Sequence, residues 1–186
     1  MTTTFEPKNI EIGGVQQQYL WHWQGQELRV VYETLGQGTP VLLLPAFSTV
    51  STRLEMAGLA KLLASKYHVI ALDWPGFGDS SRPRLDYKPE LYQQFLQDFV
   101  TNIFNTPVAV VAAGHAAGYA MQLAQKQPPV WSKIVLAVPT WRGPLPTMAG
   151  KRLGLFDTVR EMDILQTSNL VWHYQHHHIS PLLPHS

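Results

Sequence analysis

Residues 108–118 read Val-Ala-Val-Val-Ala-Ala-Gly-His-Ala-Ala-Gly, and this stretch decides the fold. Six apolar residues without polar alternation describe a strand buried on both faces, as in a parallel sheet covered by helices on each side. A glycine-bounded turn, Gly114 to Gly118, follows at once. It runs into a helical pattern over Ala117–Gln127 that stops at Pro128-Pro129. Strand, tight turn and helix therefore occupy barely twenty residues, which is the repeating unit of an α/β layer architecture.

Working outward, Val41–Leu44, Tyr67–Asp73 and Lys133–Val138 are further short apolar runs of the same kind. Gln16–Trp23 and Glu27–Thr34 flank Gln24-Gly25 and predict a hairpin at the N-terminal side. Tyr19, Trp21 and Trp23 alternate, so one face of its first strand is aromatic and is expected to pack on the sheet or a flanking element, the alternative being an apolar interface or partner site. Between the runs lie helical patterns. Leu54, Gly58 and Leu62 share one column with Leu59 and Leu63 beside it. From Glu90 onward, Leu91, Phe95, Phe99 and Ile103 make one column and Tyr92, Leu96, Val100 and Phe104 the next, a wide apolar stripe. The predicted architecture is a three-layer α/β fold, its sheet mostly parallel with an antiparallel N-terminal edge. Its expected division is a first segment 1–26, a core 27–150 and a region 151–186 of different character. No Lys or Arg follows Arg160, no Gly follows Gly154, and five of the eight histidines fall between His173 and His185.

Composition narrows the function classes. The 186 residues carry 14 Lys and Arg against 13 Asp and Glu, a net charge of +1 that offers nucleic acid no electrostatic footprint. The absence of cysteine excludes disulfides, zinc–thiolate sites and thiol catalysis. No run reaches the ~18 apolar residues of a spanning helix. Met1–Gly14 lacks an apolar core behind a basic start, so no secretory signal is read there and a cytoplasmic location is expected. No cofactor and no metal are predicted. His173 and His176–His178 hold imidazoles that suit transition metals, but adjacent histidines on an unpatterned stretch fix no geometry.

Gly114-His115-Ala116-Ala117-Gly118 has the context of the nucleophile elbow, G-x-S-x-G, in which a serine sits on a strained turn between strand and helix. In this register the central residue is Ala116, and a methyl group attacks nothing. His115 beside it is read as a packing residue.

Three ordered motifs resemble the α/β-hydrolase fold family, in its esterase-like and epoxide-hydrolase-like branch. They are Val41–Ser48 (VLLLPAFS), similar to the third strand and oxyanion loop; Asp73-Trp74-Pro75-Gly76-Phe77-Gly78-Asp79-Ser80, similar to D-x-P-G-x-G-x-S after the fourth strand; and the elbow. The resemblance runs from about Glu27 to Leu155. It implies backbone oxyanion donors at Phe47 and Ala117. It implies structural roles for Asp73, Pro75, Gly76, Gly78 and Ser80, the glycines shaping a turn and Ser80 bonding locally. It also implies a triad acid and base that this chain does not supply: no carboxylate follows Val138-Pro139-Thr140-Trp141, and Asp157, Glu161 and Asp163 read as surface charges. The sheet is accordingly expected to be truncated after about the sixth strand, with Lys133–Val138 an apolar edge open to self-association. The functional expectation is a protein of ester or C–O bond hydrolase ancestry that has lost catalysis. The alternatives are a module binding a small apolar or ester-like molecule or a protein partner in the pocket, and a hydrolase working without serine.

Overall fold

The computed structural model describes residues 11–48 and 50–137. Along them run β1 (Val15–Trp23), β2 (Gln26–Leu35), β3 (Pro40–Leu44), a 3-10 turn (Arg53–Met56), α1 (Ala57–Leu63), β4 (His68–Leu72), α2 (Pro89–Ile103), β5 (Val108–Ala113), α3 (Ala116–Lys126) and β6 (Trp131–Ala137). The six strands form one sheet in the order β1-β2-β4-β3-β5-β6. β1 and β2 are antiparallel, as are β2 and β4, and the pairings β4–β3, β3–β5 and β5–β6 are parallel. The mixed α/β sheet read from the sequence is the observed one.

The uninterrupted apolar runs are explained by the two cores they feed. Leu42, Leu44, Ile70, Leu72, Val110 and Ala112 point to the layer of α2 and α3. Their neighbours Val41, Leu43, Val69, Ala71 and Val111 point to the layer that holds Met56, Ala60 and Ile12. With both faces covered, no position of β3, β4 or β5 is exposed. The aromatic face of β1 packs on α2 as expected: Tyr19 meets Phe99 edge-on at 5.4 Å, Trp21 meets Phe95 at 5.3 Å, and the Trp21 indole N–H donates to Asp98 at 2.9 Å. β6 is an edge of the sheet among the described residues. Its Ile134 is buried, while Val135, Leu136 and Ala137 are half-buried. No helix among those residues is long and apolar enough to cross a membrane. Val138, Asp157, Glu161, Asp163, the histidine-rich stretch and the whole of the predicted region 151–186 lie outside the described residues.

β2 pairs with β4 only over Tyr32–Leu35. Beyond that point the turn after β4 takes the place of a strand. Asp73 N–H donates to Val31 C=O at 2.9 Å and Ser81 N–H to Arg29 C=O at 2.8 Å. The returning bonds use side chains, with Ser80 Oγ accepting from Val31 N–H and Ser81 Oγ from Arg29 N–H, both at 2.9 Å. Ser80 Oγ also donates to Asp73 C=O at 2.9 Å.

Behind this turn sits a buried ionic cluster. The fully buried Arg53 guanidinium meets Glu33 at 3.1 Å, Asp73, and Asp79 at 3.1 Å. Three carboxylates outnumber the one cation, and backbone N–H groups make up the difference. Ile12, Gly13 and Gly14 donate to Glu33 at 2.6–2.9 Å, and Arg53 and Asp79 donate to Asp73 at 2.7 and 3.0 Å. Burial works to raise the Glu33 carboxyl, but these N–H groups and Arg53 outweigh it and hold it below the ordinary carboxylate value.

Two substitutions test this account. Arg53→Met leaves buried carboxylates without their cation and is expected to cost about 3–5 kcal/mol in urea unfolding. Gln93 on α2 is 6% exposed, and neither polar atom of its amide has a hydrogen-bond partner among the described residues. Gln93→Leu removes an unsatisfied buried amide, so it is expected to stabilise the fold by about 1 kcal/mol and to raise the melting temperature measured by circular dichroism.

Candidate functional site

The chain leaves β3 for β4 on one side of it, then crosses to β5 on the other. Winding reverses there, and in open α/β sheets the crevice at the carboxyl ends of such strands is where ligands bind. Two segments bound it: the loop after β3, and the joint between β5 and α3.

At that joint the left-handed residue is Gly114, with φ +53°. Its N–H donates to Ala137 C=O at 3.0 Å, which holds the end of β5 against β6. A Cβ at this position would lie 3.1 Å from the Ala46 methyl, so a side chain here would project at the loop after β3. His115, half-buried, precedes α3 in ordinary right-handed geometry (φ −68°, ψ −23°). Ala116 is the first residue of α3 and is 0% exposed, part of the main core. Ala117, expected to lend its N–H to an oxyanion, donates to Gly114 C=O at 3.3 Å, and Gly118 N–H donates to His115 C=O at 3.1 Å. The left-handed position of the joint is thus two residues ahead of the motif's centre.

The loop after β3 is pinned at several points. Trp74 Nε1–H donates to Pro45 C=O at 2.9 Å, tying it to the turn after β4. Ala46 N–H donates to Glu55 at 3.3 Å, Ser51 Oγ donates to the same carboxylate at 2.7 Å, and the Ser48 and Ser51 hydroxyls are 2.7 Å apart. Phe47 N–H has no such partner among the described residues. The Phe47 ring turns inward and meets Trp74 and Tyr92 at 4.7 Å each, Tyr119 at 5.2 Å and Phe77 at 5.4 Å.

The D-x-P-G-x-G-x-S segment lies behind this crevice and holds the scaffold. Asp73 is wholly buried in the Arg53 cluster. A Cβ on Gly78 (φ +51°) would overlap the Asp73 carboxylate, so only glycine closes this turn. Pro75 is buried, and the Tyr87 ring lies where a Gly76 side chain would be. The structure brings Gly114, Ala46 and Phe47 together at the crevice. It leaves Asp73, Gly78 and Ser80 as supports. Among the described residues no group of three or more His, Asp or Glu is arranged to hold a metal.

Sequence reasoning passed over Arg53, Glu33, Trp74 and Tyr119. Trp74 lies within the D-x-P-G-x-G-x-S segment and Tyr119 within the Ala117–Gln127 helical pattern, but neither breaks an apolar pattern. Glu33 was the one available signal, an acid inside a strand whose neighbours Val30 and Val31 are apolar.

Comparison with known proteins bears on this geometry. A family model described as the Alpha/beta hydrolase family matches residues 41–180. Uncharacterised proteins of Mycobacterium tuberculosis and Mycobacterium bovis are 30% identical over 108 residues, 58% of this chain and 31% of theirs. The chain therefore spans about a third of the length of the curated relatives it matches. A solved serine hydrolase involved in carbazole degradation superposes with a TM-score of 0.59 at 21% identity, covering 68% of this chain and 49% of that one. A haloalkane dehalogenase from Agrobacterium tumefaciens superposes with a TM-score of 0.57 at 20% identity, covering 69% and 43%. These likenesses establish a shared fold. With the family match extending over most of the chain, on this strand order, the protein belongs to the alpha/beta hydrolase family.

Proposed function

We propose that this chain is a member of its family without a nucleophile at the elbow, descended from ester or C–O bond hydrolases and inactive in covalent hydrolysis. Gly114 carries the reading. A nucleophile elbow presents its reacting side chain from a strained turn at the top of the sheet, and the residue with that backbone is Gly114, φ +53°. Read by backbone, the small–x–nucleophile–x–small pattern falls on Ala112, Gly114 and Ala116, two residues upstream of the register centred on Ala116. Neither register supplies a hydroxyl: one centre has no side chain and the other a buried methyl. The oxyanion donors move with the register. The residue after the centre becomes His115 in place of Ala117, and Phe47 remains the donor from the β3 loop. Donors without a nucleophile bind a carbonyl oxygen and form no bond to it. The crevice above the elbow then serves to hold a small apolar or ester-like molecule, a use supported by its place at the carboxyl ends of strands where the winding reverses.

The test is turnover of p-nitrophenyl acetate together with labelling by a fluorophosphonate. The chain is expected to add nothing beyond weak residual rate enhancement and to take up no label. Saturable hydrolysis abolished by the fluorophosphonate overturns the reading.

The register has its own test. Gly114→Ser places a hydroxyl at the crevice and is expected to label faster than Ala116→Ser, whose hydroxyl is buried. Gly114→Ala forces an L residue into the left-handed region beside Ala46 and is expected to cost about 1–2 kcal/mol in urea unfolding.

A further inference from the structure

A cleft of about 310 Å³ lies at the other end of the sheet, where β3 and β4 begin. Strand register builds its floor. Pro40 and His68, the first residues of β3 and β4, are partners. Ile70, two residues on from His68, pairs with Thr34 of β2, and Tyr32 precedes Thr34 by two. Side chains two apart share a face of the sheet. This face is the one under α2, since Ile70 belongs to the main core and the Tyr32 ring meets Phe99 edge-on at 5.5 Å. α2 stops at Ile103, and Ile103, Phe104, Asn105 and Thr106 complete the lining.

The polar groups of this cleft are uncommitted. The side chains of Tyr32, His68, Asn105 and Thr106 make no hydrogen bond among the described residues, and Thr34 Oγ1 has only a long one, to Val15 C=O at 3.4 Å. None of these side chains is sealed from solvent as an unsatisfied group. Around the loop after β3 and the turn after β4, by contrast, Ser48, Ser51, Trp74 and Ser80 all spend their side chains on bonds within the chain. Phenol, imidazole, amide and hydroxyl together offer both donors and acceptors.

The lining also selects by charge and shape. No Asp, Glu, Lys or Arg lines the cleft, so a charged ligand finds no counter-charge there. The carboxyl end of α2 borders it and carries no basic residue in its last turn, which disfavours an anion further. Pro40, Ile70, Ile103 and Phe104 give an apolar wall. A sugar would press hydroxyls against that wall at a cost, whereas a flat ring offers it an apolar face and keeps its polar atoms at the edge. The volume stands at the lower end of ligand pockets, roughly 300–1,000 Å³, and suits one small ring system.

We propose that this cleft binds an uncharged nitrogen heterocycle of the purine-base kind, its ring face on the apolar wall and its edge exchanging hydrogen bonds with the side chains of His68, Asn105 and Thr106. The cleft lies at the amino ends of β3 and β4 and the elbow crevice at their carboxyl ends, so catalysis at the elbow, present or absent, does not bear on it.

An amide-resolved NMR titration of the isotope-labelled full chain tests it with four probes: adenine, quinoline, quinoline-2-carboxylate and methyl glucoside. Adenine is expected to bind most tightly, with saturable shifts at the backbone amides of Thr34, His68 and Thr106 and at the Asn105 side-chain amide. Asn105→Ala and Thr106→Val, both at exposed positions, are each expected to weaken adenine about 3- to 10-fold, the loss of one hydrogen bond, and to leave quinoline unchanged. Melting temperatures of the two variants check that they fold. No saturable shift with adenine, shifts centred instead on Phe47 and His115, equal or tighter binding of any other probe, or indifference of adenine to both substitutions overturns the proposal.

Discussion

One guanidinium organises the carboxyl edge of this sheet. Arg53 reaches β2 through Glu33, the end of β4 through Asp73 and the following turn through Asp79. Burying three charged groups beside a half-buried fourth is costly, and a cluster of this kind is tolerated when each remaining lone pair is met. Here the backbone meets them, and in doing so becomes ordered itself. Ile12–Gly14 are held across β2 because Glu33 needs their N–H groups. The turn after β4 is tight because Asp73 accepts from Asp79 N–H. The cluster thus sets loop geometry that no apolar contact would specify.

The crevice inherits this order. The turn fixed by Asp73 carries Trp74, and Trp74 fixes Pro45. From Pro45 the loop after β3 runs to Phe47 under the added hold of Glu55 and Ser51 on Ala46 and Ser48. A chain of direct contacts therefore leads from a buried salt bridge to the Phe47 ring beside the crevice. Preorganisation of this kind limits what a ligand must order on binding.

The strands were legible because burial on both faces writes itself into consecutive residues. Tyr67–Asp73 brackets β4 at His68–Leu72, and Val108–Ala113 coincides with β5. α2 was legible from its two columns for the same reason. Arg53 was not, since a single cation before a short helix has no period, and its partners are 20–26 residues away along the chain. The centre of the elbow, read from the sequence at Ala116, meets a second possible register for a different reason. A spacing pattern matches any pair of small residues four apart, and Ala112–Ala116 and Gly114–Gly118 both qualify. What separates them is the residue at which β5 stops and the backbone turns left-handed, a property of strand pairing with β6 that no local motif records.

The left-handed turn at Gly114 also has an evolutionary direction built into it. Holding an L residue in that region costs about 1–2 kcal/mol, a strain that active members of such a fold tolerate for the sake of an exposed nucleophile. Glycine at the same point relaxes the joint without moving it, because Gly114 N–H still bonds Ala137 C=O. On the proposed register, loss of the hydroxyl is a stabilising substitution, and its recovery a destabilising one. Thermodynamics then works as a ratchet: a lineage that takes this step gains margin that later core mutations consume, and the return path closes although the scaffold still has the shape of an elbow.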